Sequence, residues 1–283
     1  MAKMCDEKGK VILKYGFILL LFFNVPAFSL GFEIFNGVIG YKDGLPSNLI
    51  GMKSIKVVYG EELWGPRKSA DPNVPWPSQE ITVEDENRIR QLAKTYNDQK
   101  LNLICLDIEH WPLHGSNETV QDSINKFAKV IGWIREEAPL VKIGIFGRPP
   151  VHDFPSSIQP HDSIVYKTWV IENKRLTLLA NLVDVIFPSL YTSTIDPKKW
   201  EIFAIESLEQ SKYYKKPVYA FIWSRFEGPK NLNWTYLPQT YWEMELQVVK
   251  NHSDGVVIWD YGEHKVWNDQ SAWWQFIKSS FLR

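Results

Sequence analysis

The chain has 283 residues and a formal net charge of −1, with 45% hydrophobic and 23% charged residues. This ordinary globular composition fits one large domain or two small ones. So even a charge balance gives no electrostatic footprint for nucleic acid. Thirteen Trp, twelve Tyr and fifteen Phe supply flat rings that suit a cleft for stacked sugars, and equally a plain core.

The N-terminus reads apart from the rest. Lys8, Lys10 and Lys14 precede FILLLFF (17–23), and Ala27-Phe28-Ser29 follows a break at Pro26. A basic region, a short apolar core and a small-residue site are the pattern of an export signal over residues 1–29. The protein is then expected to be secreted or periplasmic, with an uncleaved membrane anchor as the alternative. The apolar core is short for a membrane-spanning helix. Cleavage would remove four of the 32 basic and two of the 33 acidic residues, leaving a net charge of −3. It would also remove Cys5 and leave Cys105 alone, so no intrachain disulfide is expected.

Residues 30–283 read as one domain. Strands are expected at 36–41 and 53–60, before a loop carrying Pro66, Pro72, Pro75 and Pro77. A helix over 83–99 has Thr82 as N-cap and acids in its first turn. LNLICLDIEH (101–110) is a strand, 117–139 a helix stopped by Pro139, and VKIGIFG (141–147) a strand. SIVYK (163–167) reads as a weaker strand before a helix at 172–182. VDVIFPSLY (183–191) is a strand and 196–215 a helix with Pro197 in its first turn. A strand at 216–226, a helix at 238–251, a strand at 255–262 and a terminal helix from about 269 complete the series. Strands alternating with helices imply a parallel sheet. The expected fold class is α/β, a (β/α)8 barrel of seven to eight strands, with an open doubly wound sheet second.

LNLICLDIEHWP poses a chemical question. Its apolar run implies burial on both faces, yet Asp107 and Glu109 stand two apart, which puts them on the same side of a strand. Burying two like charges together is costly, which favours a functional role at the strand's end, where barrel active sites lie. The other strand ends bring Phe146 and Arg148, Ser189 and Tyr191, Trp223 and Arg225, and Trp259, Asp260 and Tyr261. With Trp111, these are the candidate catalytic and substrate-binding residues. His110 and His114 are four apart, but Pro112 argues against a helix that would align them. No metal or other cofactor is expected. Cys105 reads as core. N-x-S/T tripeptides begin at Asn117, Asn233 and Asn251.

LDIEHWP, VDVIFPSLY, KPVYAFIWSRF and SDGVVIWDYG occur in the order and character seen in the hyaluronidases, glycoside hydrolase family 56. The resemblance covers roughly residues 100–262. His110-Trp111-Pro112 departs from the family's second acid and Arg, and the family's disulfides are absent. The resemblance implies a monomeric glycosidase acting on N-acetylhexosamine glycans such as hyaluronan. Glu109 would be the acid/base and Asp107 would hold the substrate acetamido nitrogen. Tyr191 would donate to the acetamido oxygen and Trp259 would wall the sugar pocket. Neighbouring carboxyls cannot flank a sugar from both faces, which fits a substrate-assisted retaining mechanism. A non-catalytic glycan-binding barrel and a muramidase-like peptidoglycan hydrolase are the alternatives.

Overall fold

The computed structural model describes residues 31–42, 51–65 and 81–282. The expected export signal and the proline-rich loop lie outside the described residues. Among those described, the elements run β1 (Glu33–Ile39), β2 (Lys53–Ser54), β3 (Lys56–Tyr59), α1 (Gly60–Trp64), α2 (Val83–Asp98), β4 (Leu103–Asp107) and α3 (Asn117–Glu137). They continue with β5 (Lys142–Ile145), α4 (Phe154–Ser157), α5 (Ile164–Arg175), α6 (Thr177–Leu182) and α7 (Pro197–Lys212). The chain closes with β6 (Tyr219–Trp223), α8 (Gln239–His252), β7 (Gly255–Tyr261) and α9 (Ala272–Phe281).

The helix starts follow their caps. Thr82 and Asp85 form a reciprocal capping box at α2, and the Ser116 hydroxyl accepts from the Thr119 amide at α3. The Asp196 carboxylate accepts from the Lys198 and Lys199 amides at α7, with Pro197 next to it. Each cap satisfies amides that a helix leaves unpaired at its first turn.

Among the described residues the strand pairs are all parallel, in two sheets ordered β2-β1-β7-β6 and β3-β4-β5. Two links join them. Only Ile55 separates β2 from β3. On the other side, residues 183–192 bridge Phe187 to Phe146 next to β5, and Ile186 and Ser189 to β6 and its approach.

This differs from the expected ring of eight strands at two places, each with a physical cause. Residues 163–167 are the cap and first turn of α5, because the Ser163 hydroxyl accepts from the Tyr166 amide. The β-branched Ile164 and Val165 looked like strand, but Ile164 is 76% exposed and nothing buries it as a strand residue would be. Residues 183–191 pair only through isolated bridges. Ile186 and Leu190 donate toward β6 and its approach, but Pro188, in register between them, has no N–H to give.

Strand alternation sorts the side chains into two layers. Along β4, Ile104 and Leu106 join the large cluster beneath the helices, with Phe127, Ile131, Trp200 and Phe203. Leu103 and Cys105 point the other way, into an inner cluster with Val57, Phe187, Phe221 and Val257. Close approach at that centre requires Gly144, whose added Cβ would sit 2.3 Å from the Phe187 ring.

Candidate active site

The side chains that follow Leu103 and Cys105 on the same face are Asp107 and, two past the strand, Glu109. The same parity brings Tyr59 after Val57 and Trp259 after Val257. It also brings Tyr191 at the end of 183–191, and Phe146 and Arg148 beyond β5. These seven residues line one cavity of about 420 Å³ at the C-terminal ends of the strands. Gly147, at φ 65°, gives the left-handed turn that follows Phe146.

Asp107 and Glu109 carboxyls are hydrogen-bonded to each other, and the Asp107 pKa is pushed up to about 7. Burial is the main cause, followed by the charge of Glu109, with Arg148 opposing. Asp107 is half-buried at the end of β4, whereas Glu109 beyond the strand is exposed. The buried Oδ1 of Asp107 has no hydrogen-bond partner among the described residues. The Arg148 guanidinium donates to the carbonyls of Glu109 (3.0 Å) and Trp111 (3.2 Å), fixing the segment that carries the acid.

The far wall is aromatic. Tyr191 packs 5.6 Å from both Trp259 and Phe146. Burial holds its hydroxyl well above the usual phenol range, so it stays a proton donor. Trp259 Nε1 donates to the Tyr59 hydroxyl at 3.1 Å, which sets the tilt of the indole. Burial likewise raises Tyr59 to about 12.

Five sequence candidates lie outside the cavity. Trp111 is buried and packs on Phe127 and Trp64. Trp223 donates its Nε1 to Asp260 at 2.8 Å, and Arg225 forms a buried ion pair with the same carboxylate at 3.1 Å. Asp260 has the opposite parity to Trp259 and points away from the inner layer, where Tyr41 also donates to it at 2.6 Å. This cluster supports the aromatic wall from behind. Tyr261 is the fifth candidate outside the cavity; its carbonyl accepts from Arg225 and its ring meets Trp234 and His264.

Ser189, a candidate from its strand end, also lines the cavity, while three polar lining residues were not singled out from the sequence: Tyr59, His152 and Glu227. Tyr59 had a readable signal, since it ends a strand in step with Val57. His152 and Glu227 lie in loops where no period applies. His152 Nδ1 sits 3.1 Å from the Ser189 carbonyl, and burial holds its pKa below the ordinary value, so the ring is neutral. Among the described residues no cluster of His, Cys, Asp and Glu could hold a metal ion.

No family model matches the chain, and no curated protein matches its sequence. Its fold is similar to that of bee venom hyaluronidase, with a TM-score of 0.66 at 14% identity, covering 88% of this chain and 97% of that one. The structure of bee venom hyaluronidase in complex with a hyaluronic acid tetramer gives a TM-score of 0.63 at 15% identity, covering 88% and 96%.

Proposed function

We propose that the protein is a glycoside hydrolase that cleaves N-acetylhexosamine-containing glycans with retention, using the substrate's own acetamido group as nucleophile. The observation that carries this reading is the hydrogen-bonded Asp107–Glu109 pair on one wall of a cavity that Tyr191 and Trp259 also line. The shared fold supports it, and the two linked sheets are then a distorted (β/α) barrel.

The pair begins with a proton on Asp107. A bound acetamido N–H donates to Asp107, which favours its carboxylate form, and the proton passes along the hydrogen bond to Glu109. Glu109 protonates the glycosidic oxygen as the acetamido oxygen attacks C1, giving an oxazolinium whose N–H stays on Asp107. Glu109, now a base, takes a proton from the water that opens this intermediate. Tyr191 donates to the acetamido oxygen and Trp259 holds the sugar face. Asp260, enclosed, accepts from Tyr41 and Trp223 and is paired with Arg225, and it takes no part in the chemistry.

On this reading residues 1–29 direct export, which sequencing the N-terminus of the secreted protein tests. The activity test is a screen of the purified protein against hyaluronan, chondroitin, chitin oligomers and peptidoglycan. Glu109→Gln should lose a factor of about 10²–10⁴ in turnover with its thermal unfolding unchanged. Near-wild-type turnover in that variant would remove the assignment.

A further inference from the structure

The loop that follows β6 carries two features the proposed chemistry does not use. Arg225 pairs with Tyr236 across it, Phe226 exchanges backbone hydrogen bonds with Trp234 and Thr235, and Glu227 donates its amide to Thr192 at 2.8 Å. That last bond fastens the loop to the residue after Tyr191. Glu227 thereby stands on the cavity wall, three strands round from Glu109. Partial burial raises its carboxyl above the usual range, and the charge of Glu109 adds to this. Among the described residues the one cation that lines the cavity, Arg148, is held by two carbonyls, and Arg225 behind the wall is paired with Asp260 and Glu263. Even with one proton shared by Asp107 and Glu109, two carboxylate charges face the single cation Arg148, and His152 is neutral.

Trp234 lies on the same loop. It is 40% exposed, although its ring is held edge-on against Trp223 at 5.2 Å and Tyr261 at 6.1 Å. Its φ is 69°, a left-handed conformation that strains a bulky residue. Trp223 in turn lies 4.9 Å from Trp259. The aromatic wall thus continues out of the cavity and ends in an open indole beside Glu227.

We infer that Glu227 and Trp234 form a subsite next to the reacting sugar that stacks a neutral or amino-bearing hexosamine and turns away a uronate. The assignment rests on the glycosidase reading and narrows it to a substrate of the chitin type. A uronate carboxylate brought beside Glu227 meets like charge, and the cation lining the cavity, Arg148, is already engaged by two carbonyls, whereas a free amine would pair with Glu227. Trp234 supplies a rigid apolar face at low entropic cost, with its orientation already fixed by Trp223.

The test is isothermal titration calorimetry of the full chain with chitotetraose and with a hyaluronan tetrasaccharide, beside reducing-end release from each. Wild type should bind chitotetraose about tenfold more tightly or better. Glu227→Gln should raise the hyaluronan affinity about tenfold and leave chitotetraose within about twofold, a difference near 1.4 kcal/mol. Trp234→Ala should weaken chitotetraose about tenfold, and Trp234→Tyr, which keeps a ring, should restore most of it. An unchanged ratio in Glu227→Gln, or wild-type binding by Trp234→Ala, would overturn the subsite. Selective binding without cleavage of either sugar would sink the hydrolase reading and leave the subsite standing. Cleavage without selectivity would do the reverse, and binding of neither would overturn both.

Discussion

At the scale of single residues the chemistry rests on where one proton sits. Asp107 with a pKa near 7 holds its proton through the mildly acidic range, so turnover should fall as pH rises through about 7. A rate plateau extending to pH 9 would contradict this. The same shift has a stability consequence, and its sign is fixed by linkage. The folded state binds this proton more tightly than the unfolded chain does, so its contribution is complete below the ordinary aspartate pKa of about 4 and is lost as pH rises through about 7. Asp107→Asn cannot ionise, so its melting temperature relative to wild type should climb between pH 5 and pH 8. A gap independent of pH would mean that Asp107 is not perturbed. The mechanism itself is tested by an oxazoline mimic. A thiazoline analogue of the N-acetylhexosamine should inhibit competitively, and Asp107→Asn should weaken it along with the rate. Tyr191→Phe should weaken it by about 0.5–1.5 kcal/mol, the loss of one hydrogen bond. A fluorosugar that traps an ester on Asp107 or Glu227 would replace the acetamido nucleophile with a protein carboxylate.

At the scale of elements, strand parity decides which residues reach the cavity. The D-x-E spacing was legible in the sequence, since a step of two keeps both acids on one face whatever the register. The step from Trp259 to Asp260 is equally legible, since adjacent residues on a strand face opposite ways and only one of the two can reach the cavity. What the sequence could not show is how Pro188 thins the pairing of 183–191, because a missing N–H matters only once the partner strand is known. The same holds for α5, where a single hydroxyl at Ser163 outweighs two β-branched residues. Gly144 offers a test of the inner layer. Gly144→Ala puts a methyl into the Phe187 ring and should cost about 1–3 kcal/mol in denaturant unfolding. Adding Phe187→Leu should return part of it. A neutral Gly144→Ala would mean that β5 and residues 183–191 lie farther apart than described.

At the scale of the whole molecule, the buried Arg225–Asp260 pair ties β7 to the segment after β6 and, through Tyr41, to the end of β1. Its side chains are 4% and 0% exposed, so the pair is desolvated and its removal is asymmetric. Asp260→Asn alone leaves the buried guanidinium with only the partly exposed Glu263 as counter-ion among the described residues and should cost about 3–5 kcal/mol. Arg225→Met with Asp260→Leu should recover much of that loss, measured by urea unfolding. Equal losses in the single and double variants would show that the hydrogen bonds from Tyr41 and Trp223, not the charge pairing, hold this side together.

Trp223 and Trp259 meet at 4.9 Å with their planes 80° apart. Two indoles fixed that closely and that far from coplanar couple their electronic transitions, so the far-ultraviolet circular dichroism should carry a positive-and-negative doublet on top of the backbone bands. The doublet depends on tertiary packing alone, and Trp223→Phe should remove this pair's share of it while the helical bands stay. It should vanish early on heating if the aromatic wall loosens before the helices do. A sugar that settles on Trp259 should change its amplitude, which turns the resting geometry of the cavity into an optical signal that needs no label and no turnover.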